Sequence, residues 1–131
     1  MGASLSTVGA ITLFVEDLAS VRAFYERAFE SSPIHGDADS AVFELGHLLI
    51  NLLDVAEASE LVTPVAVGGA GAGPRFQLTV GVDDVDAAAL GLMRRGVELL
   101  NGPVDRPWGV RTAAFADPAG HVWEIAQPLA G

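Results

Sequence analysis

The sequence predicts an α+β fold: two β-α-β-β-β modules forming a curved sheet around a cleft. Three observations predict it. A strand-to-helix joint occurs twice, as Val15-Glu16-Asp17-Leu18 and as Val82-Asp83-Asp84-Val85. A hairpin pattern follows each joint, with Ala41-Val42-Phe43 matching Ala113-Ala114-Phe115 and Ile50-Asn51-Leu52 matching Trp123-Glu124-Ile125. A glycine-rich stretch, G-G-A-G-A-G, separates the two copies. A half of this size hardly buries a core alone, so the two halves are expected to pack as one domain. The boundaries read as module one over 8–61, a linker over 62–75 and module two over 76–127.

The elements follow in order. Residues 8–15 alternate as a strand, with Ile11, Leu13 and Val15 on one face and Ala10, Thr12 and Phe14 on the other. Asp17 caps a helix running to about Phe29, and Leu18, Val21, Tyr25 and Ala28/Phe29 recur at helical spacing as its buried stripe. Ser31-Ser32-Pro33 ends it, and 34–40 reads as a loop or a weak edge strand. Residues 41–45 and 48–53 make a hairpin around Gly46-His47. Residues 54–61 read as a short acidic helix or turn, and 64–74 as a flexible connector. Residues 76–82 are a strand, Asp84 is a cap, and 85–95 is a helix with Val85, Ala88/Ala89, Leu92 and Met93 buried. Arg94-Arg95 suit the negative end of that helix, and Gly96 ends it. Residues 97–100 read as a short strand and Asn101-Gly102-Pro103 as a turn. The last hairpin runs over 110–116 and 121–127 around the turn Asp117-Pro118-Ala119-Gly120.

Composition narrows the function. The chain has 131 residues, half of them hydrophobic, which fits one domain and excludes a disordered chain. Its apolar runs are too short to span a bilayer, and 1–9 lack the basic start and long apolar core of a leader. It has no cysteine, so no disulfide, thiolate nucleophile or cysteine metal site is available. Together these features suggest a cytoplasmic protein. The net charge of −10 argues against nucleic acid and anionic membranes as partners. It suits a neutral or cationic ligand, although solubility alone is the simpler reason for such a charge.

Strand alternation assigns Ala10, Thr12, Phe14, Leu49, Asn51, Leu53, Gln77, Thr79, Val122, Glu124 and Ala126 to the cleft. Such a face is mainly apolar, with a few hydrogen-bonding groups and one acid, the composition of a small-molecule site. The alternative is that these residues pack against a neighbouring subunit or loop. Glu124 has three readings: an anchor for a cationic group, a general acid or base, or a residue paired with Arg111 or Arg75. Trp108 and Arg111 lie near the entrance to the last hairpin. Trp108 either stacks on a flat ligand or caps the core as a loop aromatic.

The ordered set of Val15-Glu16-Asp17-Leu18 with Phe24-Tyr25, the repeat at Val82-Asp83-Asp84, and Asp117-Pro118-Ala119-Gly120-His121-Val122-Trp123-Glu124-Ile125 resembles the vicinal oxygen chelate superfamily. That superfamily includes glyoxalase I, bleomycin-resistance proteins and extradiol dioxygenases, and the resemblance covers about residues 8–127. One departure is Phe29-Glu30, where the family commonly has Leu-Gly; a changed helix exit is expected from it. Metal-binding members take His, Gln or Glu ligands from four cleft positions, which the resemblance places on Ala10, Asn51, Gln77 and Glu124. The repeat agrees, since Ala10 precedes Asp17 by the same interval as Gln77 precedes Asp84. Ala10 cannot ligate, the two amides are weak donors, and only Glu124 is a strong ligand. His35, His47 and His121 fall on none of these positions. The expectation is therefore a protein with no metal or other cofactor.

Three functions compete on these residues. The first is a metal-free binding protein that sequesters a drug or natural product, apolar or cationic, as bleomycin-resistance members do. The second is a glyoxalase-like lyase or isomerase, or a natural-product enzyme, acting through Glu124 with no metal or a weakly held one. The third is a ligand-sensing or structural subunit. The expected ligand-binding set is Thr12, Phe14, Leu49, Asn51, Gln77, Thr79, Trp108, Arg111, Val122 and Glu124. A homodimer is expected, because a lone domain leaves its open sheet faces poorly covered and pairing is common in the resembling family.

Overall fold

The computed structural model describes residues 5–130. Residues 1–4, part of the segment read for a leader, lie outside the described residues. The first module comprises β1 (Ala10–Val15), α1 (Leu18–Ala28), β2 (His35–Gly36), β3 (Ser40–Leu45) and β4 (Leu48–Asp54). A 3-10 turn, Val55–Glu57, leads into the short α2 (Ala58–Val62). The second module comprises β5 (Gln77–Gly81), α3 (Val85–Arg94), β6 (Leu99–Asp105), β7 (Val110–Ala116) and β8 (Val122–Pro128). The strands form two four-stranded sheets with the same topology, β1-β4-β3-β2 and β5-β8-β7-β6. In each, the first strand runs parallel to the last and the remaining pairs are antiparallel.

Both long helices start where a side chain can accept an orphan amide. Asp17 accepts from Ser20 N at 3.2 Å and Asp84 from Ala87 N at 3.1 Å. The buried face of α1 is Val21, Phe24, Tyr25 and Ala28, so Phe24 joins the predicted stripe. On α3 it is Val85, Ala89 and Leu92, whereas Met93 is 48% exposed and drops out. Helix α1 ties the modules together. Tyr25 packs on Phe43 of β3 and on Trp123 of β8, and Phe29 packs on both Phe115 and Trp123. The helix-side residues of both sheets thus enter one continuous core.

The predicted turn at Asn101-Gly102-Pro103 is instead part of β6, which continues to Asp105 through two shifts of register against β7. Gly102 makes this possible. Its φ is +85°, and a Cβ there would sit 2.4 Å from Thr112 O. A glycine in a strand read as a break because the close approach of β7 is not written in its neighbours. The turn before β8 forms as predicted, closed by Asp117 N donating to His121 O at 2.9 Å, with Gly120 at φ +94°.

Candidate functional site

Trp123 and Ile125 are buried on the helix side of β8, and Glu124 points to the opposite, open face. Parallel pairing sets Thr79 directly beside Glu124, and the Thr79 hydroxyl donates to Glu124 Oε1 at 3.0 Å. Gln77 lies one step away, opposite Val122, and is exposed. The equivalent face of the first sheet holds Thr12 opposite Asn51, with Asn51 Nδ2 3.5 Å from Thr12 Oγ1. Asn51 Oδ1 is buried and has no hydrogen-bond partner among the described residues. Phe14, Leu49 and Leu53 share this face by alternation and are half-buried. Among the described residues no hydrogen bond joins the Thr12–Asn51 pair to the Thr79–Glu124 pair. Each sheet therefore presents its own polar pair on an otherwise largely apolar face.

Two predicted ligand-binding residues stand elsewhere. Arg111 lies on the helix side of β7, in register with Gln127, and is bound to two acids. Its Nε is 2.7 Å from Asp105 Oδ1 and its Nη1 is 2.9 Å from Asp86 Oδ2. The Arg111 guanidinium holds the Asp105 carboxyl below its ordinary value. Arg111 thus clamps β6 and β7 to the start of α3, and it is not the partner of Glu124. Trp108 sits in the β6–β7 turn, 70% exposed, so it caps no core; its ring lies 5.9 Å from the Arg106 guanidinium.

Arg106 itself escaped the sequence reading. Its Nε donates to Thr112 Oγ1 at 3.0 Å and its Nη2 to Asn101 Oδ1 at 3.2 Å. Thr112 is two residues along β7 from Ala114, the cross-strand neighbour of Glu124, so Arg106 lies over the face that carries the acid. Alternation could not find it, because the irregular register of β6 ends the period before Arg106.

A second polar cluster is buried in the core. Asp117, only 4% exposed, accepts from the Tyr25 hydroxyl at 2.6 Å, and its Oδ2 is 2.9 Å from His121 Nδ1. Ala119 N and His121 N donate to Oδ1, each at 2.9 Å. Trp123 Nε1 donates to Tyr25 Oη at 3.0 Å. Burial opposes the charge on Asp117, but the hydrogen bonds from His121, Tyr25 and the backbone outweigh it and hold the carboxyl below its ordinary value. Burial, with the Asp117 charge adding to it, pushes the Tyr25 hydroxyl well above its ordinary range.

The metal-ligand positions of the resembling family carry a methyl group at Ala10, amides at Asn51 and Gln77, and one carboxylate at Glu124. Among the described residues, no group of three or more His, Asp or Glu side chains comes together in a metal-holding arrangement. This donor set does not fit a zinc or iron site, which takes about three His or carboxylate ligands.

Comparison with known proteins agrees with the fold. A Bacillus subtilis (strain 168) protein of uncharacterized function, YraH, is 32% identical over 123 residues, covering 91% of this chain and 96% of its own. A crystal structure of a glyoxalase/bleomycin resistance protein/dioxygenase from Nocardioides superposes with a TM-score of 0.85 at 26% identity, covering 99% of this chain and 88% of that one. A lactoylglutathione lyase from Agrobacterium tumefaciens shares the fold, with a TM-score of 0.72 at 23% identity over 95% of both chains. Residues 7–125 match the sequence model of the Glyoxalase/Bleomycin resistance protein/Dioxygenase superfamily, and the chain belongs to that superfamily.

Proposed function

We propose that the protein binds a small apolar or cationic molecule on its open sheet faces, without a metal or other cofactor, and acts by sequestration. The observation that carries the reading is Asn51 Oδ1, a buried acceptor with no donor of its own. Buried polar atoms are nearly always paired, so this one asks for an N–H or O–H from outside the sheet. The surroundings are those of a ligand site: apolar side chains with a few oriented polar groups. Glu124, steadied by Thr79, supplies the negative anchor. Arg106 adds a donor on the same face. The lone strong ligand among the four family positions argues for metal-free binding.

A panel of cationic and neutral drug-like compounds, screened by thermal shift and followed by calorimetry, tests this reading. Cations are expected among the binders. Glu124→Gln keeps size and removes charge, and should weaken a cation by about 1.5–3 kcal/mol while sparing a neutral ligand. A panel without binders, or binders indifferent to both Glu124→Gln and Asn51→Leu, overturns it. Elemental analysis of protein purified without chelator should find less than one equivalent of zinc, iron, nickel or manganese. The second reading, an enzyme using Glu124 as acid or base, predicts turnover that Glu124→Gln abolishes while binding survives.

A further inference from the structure

A cavity of about 170 Å³ lies where the end of β1, the glycine-rich linker and the β7–β8 turn meet. It has room for a small organic molecule, many times the ~10–15 Å³ that one water requires. Phe14 and Phe76 supply apolar walls, and Arg75, His121 and Glu16 supply charge or titratable groups. Neither Asn51 nor Glu124 lines it, so it is separate from the polar pairs of the open faces.

Three features make the cavity selective. Arg75 has no ion-pair partner among the described residues, in a protein whose net charge is −10. An unpaired guanidinium is a ready anchor for a carboxylate. The imidazole of His121 borders the same cavity and is fixed from behind, since Nδ1 is 2.9 Å from the fully buried carboxylate of Asp117. Its Nε2 makes no hydrogen bond among the described residues. Glu16 sets a limit, because a carboxylate in the lining opposes a second negative charge on the ligand.

We propose that this cavity is a binding site for a small organic monoanion, a carboxylate with an apolar body, held by Arg75 and by the His121 ring that Asp117 orients. The carboxylate lies against the guanidinium and accepts from the Nε2–H of His121 in its imidazolium form, and the apolar body lies between the two phenylalanines.

Calorimetric titration with benzoate tests it on the full chain. Saturable binding is expected, with benzyl alcohol and inorganic phosphate both weaker. Arg75→Gln and His121→Asn should each weaken benzoate about tenfold or more, the worth of one charge-assisted contact. Asparagine can still donate to Asp117, so His121→Asn spares the turn. Arg75 is exposed on the linker, so Arg75→Gln remains informative even if His121→Asn unfolds the chain. Glu124→Gln should leave benzoate binding unchanged, which separates this site from the open faces. The His121 ring resonances should shift as benzoate is added. No saturable binding at about 10 mM benzoate, phosphate binding more tightly than benzoate, or indifference to Arg75→Gln would overturn the assignment.

Discussion

At the scale of single residues, Asp117 does the most for this fold. One buried carboxylate closes the β7–β8 turn through two backbone amides and reaches α1 through the Tyr25 hydroxyl. Tyr25→Phe removes that donor from Asp117 and the acceptor from Trp123 Nε1, leaving two buried groups short of a partner. A loss of about 1–3 kcal/mol is expected, read by urea denaturation. The pH dependence has a defined sign. Asp117 is held below its ordinary value in the folded protein, so the unfolded chain binds its proton first as pH falls. The stabilisation is complete above the ordinary carboxylate range and is lost on acidification through that range and down through the folded value. Thermal melts from neutral pH to about pH 3 should show a steep fall for the wild type. Asp117→Asn should start from a lower melting temperature and follow a flatter course. An equally steep fall in the variant would move the acid sensitivity to another group.

At the scale of elements, the exit of α1 shows what a substitution can leave untouched. Glu30 stands where the family commonly has glycine, and it still takes a left-handed backbone, with φ +49°. The changed exit expected from the sequence is therefore a change of residue on the glycine path. A side chain there is strained by roughly 1–2 kcal/mol, offset in part by the exposed ion pair from Glu30 to Arg95 at 3.4 Å. Glu30→Gly should raise stability by up to about 1 kcal/mol, measured by chemical denaturation; a loss would mean that the Arg95 contacts matter more than the strain. The elements with strong period were legible from sequence: β1, α1, the β3–β4 hairpin, α3 and the last hairpin all form within a residue or two of expectation. The exceptions share a cause. Gly102 depends on what another strand brings near it, Arg111 is drawn to acids on β6 and α3, and Arg106 went unassigned because the bulged β6 breaks the alternation before it. Local pattern names faces, and long polar side chains choose partners beyond it. For the same reason the Thr79–Glu124 pair was legible as a shared face but the Arg106–Thr112 contact was not.

At the scale of the whole molecule, the open faces raise the question of what covers them. The two sheets share one core on the helix side, and among the described residues neither pairs a strand with the other. The first presents Asn51 with its buried, unpartnered oxygen, and the second presents Glu124 and Arg106. A second copy of the chain is the proposed cover, since it brings the face that each sheet lacks and so lets both polar pairs border one site. Charge works against such pairing. Each copy carries −10, and two such bodies repel over about 10 Å at 0.1 M salt and over about 30 Å at 0.01 M. The homodimer should dominate in light scattering at micromolar protein and physiological salt, where this repulsion is screened, and its dissociation should increase as salt is lowered. Asn51→Asp places a further negative charge on the face proposed to be covered. It should favour the monomer more strongly than Glu57→Gln, a change on an exposed turn, alters the equilibrium in either direction. A mass that stays monomeric across salt concentrations would remove the second copy as the cover and leave each face to bind its ligand alone.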